Sequence, residues 1–298
     1  MHWIIRNLLA DRILPTWFAL QGIVVRPKSD ALQQELSTRG GELMAHYPNP
    51  PAALPAFSAA RRMYHACGLD PSKVRPSSEA LVRRVLQGKG LARVNTAVDA
   101  ANLVSISILR PVGLYDADKI YPVDASEARG RPDPGVSVVT LRLGTAAEEY
   151  AGIGKEMIHL EGRPLLLDRL GPFGNPSADS ARTRVTEATT RLLFVVFEPA
   201  DEPTAELEMH RALALATMQR HLGGGGGGLN PHCSVHSATT QNLQPRANGA
   251  QPPSCRRHDP HARCTPVHRP AGPHSFAKRG LFHFHHTGGS SDPGPGPI

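Results

Sequence analysis

Cysteine and acidic side chains are both scarce in this sequence, but in different places. Residues 1–222 hold a single cysteine, Cys67. No disulfide can close within them, which points to a reducing compartment rather than a secreted, cross-linked scaffold. Residues 223–298 hold only 2 of the 26 Asp and Glu. No apolar run approaches the roughly 20 residues that span a bilayer. The N-terminus is apolar but interrupted by Arg6, Asp11, Arg12 and Pro15, and it lacks the unbroken core and small-residue cleavage site of a signal peptide. No glycine-rich phosphate loop of the P-loop or dinucleotide type follows a strand-like run. The histidines of the first 222 residues (His2, His46, His65, His159, His210 and His221) match no metal-ligand spacing. No metal, cofactor or membrane attachment is expected, and the cytoplasm is the expected location.

What is present is divided as unevenly. The chain has 298 residues and a formal net charge of +7. Residues 223–298 carry 7 of the 33 Lys and Arg, 9 of the 15 His, 13 of the 28 Gly and 11 of the 28 Pro. Residues 1–222 are therefore close to neutral, with 26 basic and 24 acidic side chains, and are long enough for a full core. The six glycines of 223–228 read as a flexible linker. Beyond them the sequence has almost no aliphatic periodicity and is expected to be a disordered tail. Its Cys233, Cys255, Cys264 and FHFHH run lack the paired spacing of a zinc module.

Local patterns predict helices early and strands late. Residues 17–26 read as a buried strand stopped by Pro27. Residues 55–67 place Phe57, Ala60, Tyr64 and Cys67 on one helical face, with Gly68 as the stop. A second helix is expected from Ser77 or Ser78 as N-cap to Gly88, and a third from Asn95. VSVVTLRL (136–143), PLLLD (164–168) and RLLFVVFE (191–198) read as strands. Thr204 opens a last helix with Ala205, Met209, Ala212, Leu213 and Ala216 on one side. This order gives an α+β fold rather than a βαβ repeat.

Three features carry candidate chemistry. Residues 61–93 contain Arg61, Arg62, Lys73, Arg75, Arg83, Arg84, Lys89 and Arg93 against only Asp70 and Glu79. That is the footprint of a polyphosphate partner, or else a solvated helical surface. Asn95, Asp99 and Asn102 share one helix face, suited to a ribose, an amino group or a water, or else to a cap and surface polar positions. The segment GPFGNPSADSARTR (171–184) combines glycines that allow close backbone approach with Asp179, Ser180, Arg182 and Thr183. A structural turn accounts for its Gly and Pro equally well.

The order EALVRRVLQGKGLARVNTAVDAANLVS, GLYDADKI, LRLG…LEG and LLLDRLGPFG…VTEATTRLLF resembles the B3/B4 editing domain of the phenylalanyl-tRNA synthetase beta subunit, over about residues 55–200. RPSSEAL (75–81) and GPFGNPSADSART (171–183) look more like free-standing relatives of that domain. The resemblance implies layered β/β/α packing, with residues 1–54 as a strand-and-helix extension, 55–222 as the B3/B4-like domain and 223–298 as the tail. It implies tRNA or aminoacyl-tRNA as partner, gripped at the acceptor end. It further implies hydrolysis of mischarged aminoacyl-tRNA in trans, or alternatively a binding module without hydrolysis.

Carried onto this sequence, the family's Thr-Asn pair becomes Ala101 and Asn102. Its histidine falls at Gly113, its strand glutamate at Val195, and its glycine pair at Gly174 and Asn175. The departures remove both side-chain handles for a tyrosine hydroxyl. Asn102 and Asn95 are expected to orient the amino acid or terminal ribose, with Asp99 supporting that face. The backbone at Gly174 and Asn175, with Ser180 and Thr183, is assigned to the carbonyl and water. Arg182 is assigned to phosphate charge, Asp179 to substrate contact, and the terminal ribose hydroxyl to orienting the water. Residues 121–134 are longer than the family's connection and are expected to form an exposed loop.

Overall fold

A strand segment that is apolar at every position is buried on both faces, and LLFVVF (192–197), between Arg191 and Glu198, is such a run. In the computed structural model, which describes residues 2–121, 123–124, 136–154, 157–223, 234–236 and 238–242, this run lies in a central strand between two cores. The chain divides into two compact units, Met1–Ala247 and Asn248–Ile298. The second lies outside the described residues, as do most of the expected loop at 121–134 and most of the expected tail.

The described chain opens with strands β1 (His2–Asn7) and β2 (Ile13–Gln21) and helix α1 (Asp30–His46). Helices α2 (Ser58–Ala66), α3 (Ser77–Leu86) and α4 (Thr96–Ile108) follow, α2 being preceded by a 3-10 turn over Pro50–Phe57. Strands then dominate: β3 (Val112–Asp116), β4 (Val123–Asp124), β5 (Val136–Leu143), β6 (Glu149–Ala151), β7 (Met157–His159), β8 (Pro164–Asp168), β9 (Gly171–Gly174) and β10 (Arg191–Pro199). Helix α5 (Thr204–Leu222) and short strands β11 (Ser234–His236) and β12 (Ala238–Asn242) come last.

One sheet has the order β12-β1-β5-β8-β9, with β4 also on β5, and a second has the order β11-β2-β10-β3. Strand alternation sorts the two cores. Leu193, Val195 and Phe197 of β10 pack with Trp17, Val139, Leu141 and Leu166 between the sheets. Leu192, Phe194 and Val196 turn the other way, onto α1, α4 and α5 through Leu32, Val104 and Met218. Phe18 of β2 stacks on Phe194 at 5.0 Å between ring centroids. Each such fully buried side chain contributes about 1.5–3 kcal/mol. The result is a β/β/α layering in an α+β fold.

Several local expectations shift. The early strand covers Ile13–Gln21 rather than 17–26, because Gly22 takes a positive φ of 71° and turns the chain there. α3 has Pro76, not a serine, at its N-cap position, with no side-chain cap bond. The residues expected to form the inner face of α5 point outward: Met209 is 52% and Leu213 39% exposed. Its buried residues are His210, Ala214, Thr217, Met218, His221 and Leu222. Asn95 does cap α4, accepting from the N–H groups of Ala97 at 3.1 Å and Val98 at 3.0 Å.

A buried charge cluster ties the end of β10 to the helical layer. Glu198 accepts from Arg110 Nε at 2.8 Å through one carboxylate oxygen, and its other oxygen lies 2.8 Å from His210 Nδ1. Arg110 Nη2 donates to Glu202 at 2.7 Å. Glu198 is fully buried, and Arg110 and His210 nearly so. The burial of His210, on a helix that leaves Met209 and Leu213 exposed, follows from this pairing. Among the described residues no helix is long and apolar enough to cross a membrane.

Candidate functional site

The 171–184 segment leaves β9 as a tight turn whose polar side chains are mostly occupied in holding it. Asn175 is buried; its Oδ1 accepts from the N–H groups of Ser177 at 2.8 Å and Ala178 at 2.9 Å. Its Nδ2 donates to the Tyr150 hydroxyl at 2.7 Å, and that hydroxyl donates to the Ala178 carbonyl at 2.6 Å. The hydroxyls of Tyr64 and Ser177 are 2.7 Å apart. Ser180 accepts from the Arg182 N–H at 3.2 Å, and Thr183 donates to the Phe173 carbonyl at 3.3 Å. Arg182 forks onto Asp168 at 2.9 and 3.0 Å and also donates to the Lys119 carbonyl at 3.0 Å. Its charge is matched by Asp168 before any phosphate arrives.

Asp179 is different in kind. Its carboxylate accepts from the Tyr115 hydroxyl at 2.9 Å and the Leu114 N–H at 3.5 Å. Burial pushes the carboxyl up to about 7, against these hydrogen bonds, which favour the anion. Tyr115 is itself pushed upward, by burial first and by the neighbouring Asp179 charge second.

The Tyr115 ring is fully buried and meets Phe173 edge-on at 4.9 Å. A Cβ placed on Gly113 or on Gly174 would overlap the Tyr115 hydroxyl and ring. Gly113 in turn lies opposite Val195 in the β3–β10 register. Gly113 and Gly174 thus leave between them the space that one internal phenol fills. Gly174→Ala is expected to destabilise the protein by roughly 3 kcal/mol, the upper end of ordinary overpacking. Chemical denaturation measures this, and an unshifted midpoint would show that the phenol can move aside.

The α4 residues form a second group. Asp99 accepts from Gln33 Nε2 of α1 at 2.8 Å and from the Val94 N–H at 3.1 Å. Burial raises its pKa, opposed by those bonds. Asn95 is spent on capping, while Asn102 is half-buried on the same helix. Among the described residues no hydrogen bond or ion pair joins Asn95, Asp99 or Asn102 to the 171–184 segment.

The basic segment is partly neutralised from within. Glu79 of α3 is fully buried and receives Arg61 at 2.9 and 3.0 Å and Arg83 at 2.9 Å, with Arg75 at 3.7 Å. Burial pushes Glu79 up, but the Arg61 and Arg83 hydrogen bonds outweigh it and hold the carboxylate below its usual range. Arg62 pairs with Asp201 at 3.1 Å, and Arg84 Nε donates to the Gly90 carbonyl at 2.8 Å. Lys73, Arg84, Lys89 and Arg93 are exposed and form no salt bridge among the described residues.

Sequence spacing missed Tyr64, Tyr115 and Tyr150 as the three phenols that meet the 171–184 segment, and it missed Asp168 and Gln33. Only the Tyr115-Asp116 dipeptide offered a signal. The other partners come from strands and helices far away in sequence.

Residues 59–212 match the B3/4 domain family. The phenylalanine-tRNA ligase beta subunit of Rickettsia prowazekii (strain Madrid E) is 28% identical over 95 residues, which is 32% of this chain and 12% of that protein. A crystal structure of an N-terminal fragment of the phenylalanyl-tRNA synthetase beta subunit from Pyrococcus horikoshii aligns with a TM-score of 0.38 at 15% identity, covering 81% of this chain and 52% of that one. This chain therefore corresponds to only a small part of the ligase subunit's length. With the match running from α2 into α5 and taking in more than half of its residues, the chain belongs to the B3/4 domain family.

Proposed function

We propose that this protein grips the acceptor end of tRNA and hydrolyses mischarged aminoacyl-tRNA in trans. The observation that carries this reading is Asp179, whose carboxyl is pushed up to about 7 beside a glycine-rich turn. Such a group is divided between acid and base at neutral pH and can hold or release a proton during ester cleavage. An aminoacyl ester is already activated, so positioning and oxyanion stabilisation by backbone N–H groups supply most of what remains. Asn175, Ser180 and Thr183 then contribute by fixing the turn rather than by touching the ester. Asn102, whose amide has no hydrogen-bond partner among the described residues, is left for the amino acid or terminal ribose, and the ribose hydroxyl orients the water. Phosphate contacts fall to Lys73, Arg84, Lys89 and Arg93, since Arg182 is matched by Asp168. This reading keeps the protein in the cytoplasm.

The test is incubation of the protein with a panel of aminoacyl-tRNAs, scoring release of each amino acid. At least one should be released, about tenfold more slowly by Asn102→Ala and Asp179→Asn at unchanged tRNA affinity. No release from any member would overturn the reading. The second reading, a module that binds tRNA without hydrolysis, is favoured by the Tyr115 phenol occupying the space between Gly113 and Gly174. It expects binding across the panel and release from none.

A further inference from the structure

A groove lies between α1, the end of α3 and the segment leading to α4, away from the 171–184 turn. We propose that it is a nucleotide-binding site, taking one nucleoside phosphate unit either free or within an RNA strand. One wall, α1, lies outside the residues matched by the family.

Its size fits one unit rather than several: the groove encloses about 280 Å³, at the small end of ligand pockets. Its walls are largely aliphatic, from Leu36 and Met44 of α1 and from Val85 and Leu91 opposite. Apolar walls with a few polar groups between them are the usual lining of a small-molecule site and can cover the faces of a base. Gly40 and Gly41 keep the groove wide. A Cβ on Gly40 would meet Val85 at 3.5 Å, whereas one on Gly41 would meet nothing within 4 Å. Polar groups for a base edge or ribose are present in the Ser37 hydroxyl and the Gln33 amide, whose nitrogen is committed to Asp99 but whose oxygen is not.

The charge of the rim selects an anion. Gly88 and Gly90 line the groove at positive φ, 69° and 60°, and set the tight turn that carries Lys89 between them. Arg93 lines the same groove. Lys89 is exposed between two lining glycines without itself lining the groove, and neither it nor Arg93 forms a salt bridge among the described residues. No Asp or Glu lines the groove, although Asp99 lies near enough for the Arg93 charge to reach it. The backbone N–H groups of Gly90, Leu91, Ala92 and Arg93 donate to no acceptor among the described residues, so they too are available to a phosphate. An apolar slot with an unpaired cationic rim and free amides is complementary to a base and its phosphate together. The deacylase reading is not required for this, because binding here involves no ester chemistry.

Gly41→Phe gives the cleanest test. Its side chain projects into open space and replaces a helical glycine, so the fold should hold. Binding of AMP and of a short single-stranded RNA to the full chain is measured for the wild type, for Gly41→Phe and for Lys89→Ala with Arg93→Ala. Each variant should lose about tenfold in affinity, and the double variant should also flatten the salt dependence by about two counterions. Binding of AMP assigns the site to free nucleotides, and binding of RNA alone assigns it to a strand; either supports the groove. Binding of neither, or binding indifferent to Gly41→Phe, overturns it. So does inorganic pyrophosphate competing as well as AMP, since that would mean charge without a base site. Lys89 and Arg93 also serve the phosphate contacts of the deacylase reading, so the arms that separate the two are AMP binding and Gly41→Phe, which touch neither the 171–184 turn nor amino acid release.

Discussion

Arg110→Ala is expected to lower folding stability by about 3–5 kcal/mol, because it strips the cation from the fully buried Glu198 carboxylate and from the mostly buried Glu202. In the native protein Arg110 donates to Glu198 at 2.8 Å and to Glu202 at 2.7 Å. Without it, Glu198 keeps only His210, and Glu202 loses its partner. Both carboxylates then either stay charged in a poorly solvating site or take up protons, and each route costs stability. Urea unfolding at neutral pH reads the effect directly. A loss below about 1 kcal/mol would mean that water or a rearranged side chain replaces the guanidinium.

Asp179 should give the other large effect, through pH rather than packing. Its folded-state pKa is raised to about 7, while an unfolded aspartate titrates near 3.9. The folded protein therefore holds this proton more tightly than the unfolded chain does. The stability linked to it is fully present below the unfolded pKa and is lost as pH rises through the folded one. Between about pH 4 and pH 8 this amounts to a loss of up to roughly 4 kcal/mol. Asp179→Asn removes the titration while leaving an oxygen to accept from Tyr115. The variant should match the wild type near pH 4 and exceed it in stability near pH 8. Two parallel stability curves over that range would show that the carboxyl titrates normally, and would also remove its candidacy as an acid or base.

The strands and α4 were legible because their signals are local. VSVVTLRL and PLLLD are bounded by their own neighbours, and the Asn95 side chain closes its bonds within three residues. α5 was misread because two of its buried positions are histidines. His210 faces inward because Glu198, on another strand, receives it, and His221 because Glu35 of α1 lies 3.2 Å away. No window of a helical sequence contains those partners. The candidate site divides the same way. The turn at 171–184 could be located from its Gly, Pro and Asp content. That its amide, carboxylate and hydroxyls are engaged by three distant tyrosines and by backbone groups could not be read there. Nor did a count of basic residues over 61–93 reveal that Arg61, Arg75 and Arg83 cluster around the buried Glu79.

The pairing of β2 with β10 bears on where this protein can be cut. The register runs from Arg191 opposite Gln21 to Pro199 opposite Ile13, so β2 covers one whole side of β10. A fragment trimmed to residues 59–212 would lose that cover together with α1. β10 would become an edge strand, apolar on both faces, with its hydrogen-bonding groups open to any passing chain. The span matched by the family is thus smaller than the sheet it belongs to, and a chain shortened to that span is expected to expose an aggregation-prone edge strand.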